Sequence, residues 1–204
     1  MSDETTNSAP PVIVEERDSI AIVRLNRPAE RNSLTTPLLE RLTHIVSSLR
    51  VRSEISAIVF TGTADVFASG ADIRELSGLT PEGARVFALR GQRLMRMIAE
   101  AGQMTLAAID GYCMGGGLDL ALACDVRFAS PGSIFAHPGA RLGIITGWGG
   151  TQRLHRLIGT TRAVELFLTT ERVGGREALE MGLVDYLSDS PLDRALNVAR
   201  DARR

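Results

Sequence analysis

The sequence predicts an α/β fold with more than one layer, because short apolar, strand-like runs recur ahead of helix-forming segments along most of its length. Two of these strand-to-helix junctions are rich in glycine and small residues: Phe67-Ala68-Ser69-Gly70-Ala71-Asp72 and Gly111-Tyr112-Cys113-Met114-Gly115-Gly116-Gly117. With 204 residues and 44% hydrophobic composition, the chain is long enough for one domain with a sizeable core and short for two.

Residues 1–11 are polar and acidic, without a basic or apolar leader pattern, and are expected to form a disordered lead-in. Residues 12–16 and 20–25 alternate as a hairpin with Asp18-Ser19 near its turn. A helix is expected to start with Thr36 as N-cap and Pro37 as first helical residue, and to reach about residue 50. Residues 57–61 read as a strand. After it, Asp72 and Glu75 have the D-x-x-E form of a capping box, which sets Ala71 just before a helix. Thr80-Pro81 starts another helix, to about residue 101, and residues 105–109 then form a buried strand leading to the glycines. Residues 118–124 read as a helix, and residues 126–129 and 133–136 as short strands joined by Pro131-Gly132. From residue 151 onward helix dominates, with one further strand at 184–187.

Composition narrows the function. The net charge is −1 and every basic side chain is arginine, which argues against nonspecific nucleic-acid binding while suiting phosphate recognition by individual guanidinium groups. No apolar run reaches membrane-spanning length, so no membrane partner is expected. Cys113 and Cys124 have neither disulfide-scaffold nor metal-site spacing and read as reduced thiols of a cytoplasmic protein. Gly111 begins no G-x-G-x-x-G, and neither a Walker pattern nor a G-x-S-x-G elbow occurs, so dinucleotide redox chemistry and serine hydrolysis have little support.

The glycine junctions carry the chemistry. Glycine at the positive end of a helix strips side chains from backbone N–H groups, so an oxyanion can approach them closely. Asp119 follows Gly116 by three residues, which puts its carboxylate on the helix face of the Gly116 peptide. A donor and a candidate acid or base then share one small volume. Asp119 also has a plainer reading, as a partner of the helix dipole worth ~0.3–1 kcal/mol. A tight packing turn is the plainer reading of the three glycines, and Asp72 and Glu75 read as caps. Trp148, the single tryptophan, reads equally as pocket wall or core filler. His44 and His155 fall on predicted helices as surface or packing residues.

Leu25-Asn26-Arg27-Pro28, Gly70-Ala71-Asp72, Gly115-Gly116-Gly117 and Gly149-Gly150-Thr151-Gln152-Arg153-Leu154 resemble, in order and spacing, the motifs of the enoyl-CoA hydratase/isomerase, or crotonase, superfamily. The resemblance covers nearly the whole chain from about Val12. It implies a crotonase-like (ClpP/crotonase) spiral of repeated ββα units spanning residues 12–190, with residues 191–204 starting a shortened C-terminal helical section. It further implies a coenzyme A thioester as ligand, no separate cofactor and no metal. Ala71 and Gly116 N–H would form the oxyanion hole, and Ala71, Asp72, Ile73 and Arg74 would line the acyl-CoA site. A homo-oligomer, trimer or dimer of trimers, is the implied assembly.

Hydratases of that family hold water between two carboxylates. Aligning on Phe135-Ala136-His137-Pro138 puts the first at Asp119 and the second at Gly139, where no acid stands. Losing one general acid or base typically costs about 10²–10⁴ in rate. The resemblance therefore implies an acyl-CoA-processing hydratase/isomerase with Asp119 as acid/base, suited to double-bond isomerisation or weak hydration. His137 titrates in a useful range and is a candidate proton carrier. An acyl-CoA hydrolase or decarboxylase, with Gly139 enlarging the substrate-binding space for a bulkier acyl group, is the second reading. A non-catalytic acyl-CoA-binding protein is the third.

Overall fold

An antiparallel pair opens the fold: β1 (Val12–Arg17), mostly half-buried or exposed, lies along the buried β2 (Ile20–Leu25), and Asp18 at φ 59° closes the turn between them. The structure, a computed structural model, describes residues 9–63 and 65–202, so the expected lead-in lies for the most part outside the described residues. Three successive strand pairs follow: β3 (Ala57–Thr61) with β4 (Val66–Ala68), β5 (Met104–Ile109) with β6 (Tyr112–Met114), and β7 (Val126–Ala129) with β8 (Ile134–Ala136). The short strands β9 (Val173–Gly174) and β10 (Tyr186–Leu187) come last.

The first strand of each pair joins one sheet and the second joins another. The larger sheet has the order β1-β2-β3-β5-β7-β10 and is parallel from β2 onward; the smaller has the order β4-β6-β8-β9. Residues 126–129 and 133–136, joined through Pro131-Gly132, thus serve different sheets. Ser133 itself leaves the strand, because its N–H closes a turn onto the Ser130 carbonyl at 3.0 Å. Two strands and then a helix, repeated, give the spiral of ββα units that the family resemblance implies, with mixed α/β architecture and parallel sheets.

The first long helix, α1 (Thr36–Arg50), buries Leu38, Leu39, Leu42, Ile45, Val46 and Leu49, a stripe at helical spacing. Its N-cap is Thr35, one residue earlier than the sequence suggests, and the Thr35 side chain makes no capping bond. Glu75 performs that task instead: its Oε2 accepts from the Thr36 N–H at 2.9 Å. Asp72 caps the short helix α2 (Ile73–Ser77) by accepting from the Arg74 N–H, so the capping box expected of Asp72 and Glu75 is split between two helices. Next comes α3 (Pro81–Ala99), where the Thr80 hydroxyl accepts from the Gly83 N–H as the Thr-Pro signal predicts.

Every residue of α4 (Gly116–Ala123) is buried, and the helix begins two residues before the predicted start. It is followed by α5 (Gly150–Ile158), α6 (Thr160–Thr169), α7 (Gly175–Glu180) and α8 (Pro191–Asp201). The strand expected at 184–187 shrinks to β10, because the Leu183 and Val184 N–H groups both turn back to the Ala178 carbonyl at the end of α7. Ala195, Leu196 and Ala199 of α8 cover a second apolar cluster on the larger sheet, around Ile22, Val59, Leu106 and Phe128. No described helix is long and apolar enough to cross a membrane.

Candidate active site

Both glycine junctions reach the same place because the strands before them, β4 and β6, are parallel neighbours in the smaller sheet. Gly115 takes φ 50° between β6 and α4, and its N–H donates to the Ala136 carbonyl at 2.9 Å. Gly70 takes φ 95° after β4, and its carbonyl accepts from the Leu34 N–H at 2.8 Å. A side chain at Gly70 would stand 2.8 Å from the Met114 carbonyl and 3.1 Å from the Gly116 nitrogen. The two turns therefore touch, and only glycine permits both the backbone angle and the approach. As the first residue of α4, Gly116 has no carbonyl acceptor for its N–H within its own helix. Ala71 and Gly116 both face a cavity of about 240 Å³.

Asp119 lies one helical turn along α4 and is 0% exposed, yet it lines that cavity. Its Oδ2 accepts a hydrogen bond from the Thr146 hydroxyl. Among the described residues, its Oδ1 has no hydrogen-bond partner and lies 3.8 Å from His137 Nε2, which has none either. Burial pushes the Asp119 carboxyl up to about 6, against the opposing pull of Thr146 and of the Trp148 N–H. Burial also pushes His137 down to about 4. The carboxyl therefore exchanges a proton near neutrality while the imidazole beside it stays neutral. Gly150, the first residue of α5, packs over both groups. A side chain there would run into Asp119 Oδ1 and approach His137 Cε1 at 3.1 Å.

The remaining walls are mainly apolar. Phe87 and Ala88 of α3, together with Leu142, Ile144 and Ile145 of the loop before α5, close on the polar floor. Trp148 is both pocket wall and core: it is 3% exposed, stacks at a tilt on Phe87 with ring centroids 5.3 Å apart, and lines the cavity. Ile73 and Gly139 line the cavity as well. Asp72 and Arg74 do not; they pair with each other at 2.9 Å, and the Arg74 guanidinium holds the Asp72 carboxyl down at about 2.

The missing side chain at Gly139 does not leave free room for a bulkier acyl group. A Cβ there would stand 2.7 Å from the Ile144 carbonyl, so main chain fills the space. Thr146 was not anticipated, because a lone threonine in a Gly/Ile loop carries no sequence signal of the carboxylate it meets. Among the described residues, no three His, Cys, Asp or Glu side chains gather as a metal site.

Comparison with known proteins bears on the family and the fold. Residues 15–200 match the family model described as enoyl-CoA hydratase/isomerase. The chain is 35% identical over 191 residues to a short-chain-enoyl-CoA hydratase of Clostridium acetobutylicum, covering 93% of this chain and 72% of that protein. It is 35% identical over 175 residues to a crotonyl-CoA hydratase of Syntrophomonas wolfei, covering 85% and 67% respectively. Among solved structures, an enoyl-CoA hydratase from Bacillus anthracis superposes with a TM-score of 0.90 at 34% identity, covering 94% of this chain and 76% of that one. DspI of Pseudomonas aeruginosa superposes at 0.91 with 32% identity, covering 100% and 79%.

Proposed function

Because the chain belongs to the enoyl-CoA hydratase/isomerase family, we propose that it is an acyl-CoA-processing enzyme that adds water to a short 2-enoyl-CoA through a thioester enolate. The observation that carries this reading is the fully buried Asp119 carboxyl beside the contact of the two glycine turns. The N–H groups of Ala71 and Gly116 receive the thioester oxygen as it gains charge; one such donor contributes ~3–4 kcal/mol to the transition state. Asp119, ionised above about pH 6, takes the proton and returns it to the α-carbon. Ile73 and Gly139 border the acyl group, and Asp72 and Arg74 stand at the outer side of the same turn, where the Arg74 guanidinium is exposed for a coenzyme A phosphate.

Double-bond isomerisation is the second reading, favoured by Asp119 being the single carboxylate among the described residues that line the cavity. The exposed apolar side chains Leu142, Ile144 and Ile145 at the mouth support a homo-oligomer in which another copy covers them. The buried thiols of Cys113 and Cys124 fit a cytoplasmic location.

Incubation with crotonyl-CoA in deuterated buffer, followed by NMR, separates these outcomes. Formation of 3-hydroxyacyl-CoA carrying α-deuterium supports hydration. Double-bond migration or exchange alone supports isomerisation. Binding without turnover, unchanged by Asp119→Asn, leaves a non-catalytic acyl-CoA-binding protein.

A further inference from the structure

Asp119 Oδ1 and His137 Nε2 share an unusual position. Both are buried, both lack a hydrogen-bond partner among the described residues, and both belong to residues that line the cavity. Buried polar side-chain atoms are rarely left unpaired, so two adjacent unpaired atoms at a cavity floor mark a place built to receive a polar group. At 3.8 Å they are too far apart to bond each other. An oxygen at ~2.8 Å from each would subtend about 85° between them, which a water molecule donating both hydrogens accommodates.

The rest of the site holds this pair in place. Thr146 engages Oδ2, which leaves Oδ1 as the carboxylate oxygen without a hydrogen-bond partner among the described residues. The His137 ring packs against Phe167 with centroids 4.9 Å apart, and Gly150 covers both groups without a side chain that would intrude. Among the described residues, no charged group other than Asp119 pairs with His137.

We propose that Asp119 Oδ1 and His137 Nε2 together accept the two hydrogens of the reacting water, which aims its oxygen lone pair into the cavity at the β-carbon of a 2-enoyl thioester. This rests on the hydratase reading above and names a second catalytic residue for it. The required tautomer carries its hydrogen on Nδ1. As the water oxygen bonds to the β-carbon, one O–H bond breaks and its proton passes to Asp119 Oδ1. The double-bond electrons move onto the thioester oxygen, facing the Ala71 and Gly116 N–H groups. The enolate pair then returns, and the α-carbon takes that proton from Asp119. The second hydrogen stays on the new hydroxyl, His137 remains neutral throughout, and the product is the 3-hydroxyacyl thioester.

The test uses the full-length protein with His137→Phe, which removes the nitrogen while keeping a ring against Phe167, and His137→Gln, which restores an acceptor. Two rates are read: hydration of crotonyl-CoA, and α-proton exchange of butyryl-CoA in deuterated buffer, a step that needs Asp119 but no added water. The ratio of hydration to exchange is expected to fall about 100-fold or more in His137→Phe and to recover in part in His137→Gln. A ratio unchanged in His137→Phe overturns the water-holding role while leaving the hydratase reading intact. Parallel loss of both rates in both variants, with folding confirmed by circular dichroism, shows a structural role and also overturns it. Wild-type protein that exchanges protons but hydrates no 2-enoyl-CoA overturns the hydratase reading together with this proposal.

Discussion

The indole of Trp148 occupies the space that a side chain at Gly116 would need. A Cβ at Gly116 would collide with the six-membered ring, and the opposite edge of the same indole excludes a side chain at Gly91 on α3. Trp148 is buried and held between Gly116 and Gly91, so the space left to it is the cavity it lines. Gly116→Ala is therefore expected to displace either the indole or the turn that presents the Gly116 N–H. Hydratase kcat should drop by about 10²–10³, the cost of losing one oxyanion donor. Since Trp148 is the single tryptophan, its emission reports the displacement directly. An emission spectrum and kcat both matching wild type would show that the turn absorbs the methyl.

Thr146 tunes the acid. Its hydroxyl donates to Asp119 Oδ2 and favours the ionised carboxylate, opposing the burial that raises the group to about 6. Removing the hydroxyl in Thr146→Val leaves burial less opposed, so the acid limb of kcat/KM should move to higher pH. Thr146→Ser should keep the limb near its original position. A pH–rate profile of the three proteins decides this, and an unmoved limb in the valine variant would show that the hydroxyl does not set the proton affinity.

The sequence made the architecture legible wherever a local rule had one outcome. Thr80-Pro81 capped α3 as expected, and the glycine runs marked both strand ends that meet at the cavity. Where a residue had two available partners, local pattern could not choose. Glu75 satisfies its capping spacing with Asp72, but tertiary contact brings the Thr36 N–H to it instead. The same limit applies at the site. Asp119 was readable because it follows the glycines by one helical turn, whereas Thr146 lies 27 residues away and meets it only through the fold. Gly139 shows the reverse error: an absent side chain suggests room, yet the Ile144 carbonyl takes the space.

Gly139 accordingly resists repair. A second carboxylate introduced as Gly139→Glu would place its Cβ 2.7 Å from the Ile144 carbonyl, a backbone atom that bends only with the 139–144 loop. That loop is tied by the Ile144 N–H donating to the Gly139 carbonyl at 3.1 Å. The substitution is expected to destabilise by about 1–3 kcal/mol, as overpacking usually does, without raising hydration. Thermal unfolding and crotonyl-CoA turnover test the two halves separately. A variant of wild-type Tm with faster hydration would mean that the loop yields at little cost.

The Asp119 and His137 shifts oppose one another in their effect on stability. Asp119 rises from 3.8 to about 6 on folding, so the folded state binds more protons between those values. Its contribution is complete below the unfolded value and is lost as pH rises through about 6. His137 falls from 6.5 to about 4, so the folded state binds fewer protons, and its contribution is lost as pH drops through that window. The two contributions run in opposite directions between about pH 4 and 6, so in the wild-type protein each offsets part of the other. Single substitutions remove the offset. Relative to wild type, Asp119→Asn should lose stability on acidification through this window, and His137→Gln should lose it as pH rises. Urea unfolding of the three proteins across the window measures both slopes. Parallel curves would show that neither buried group keeps its shifted proton affinity in the folded protein.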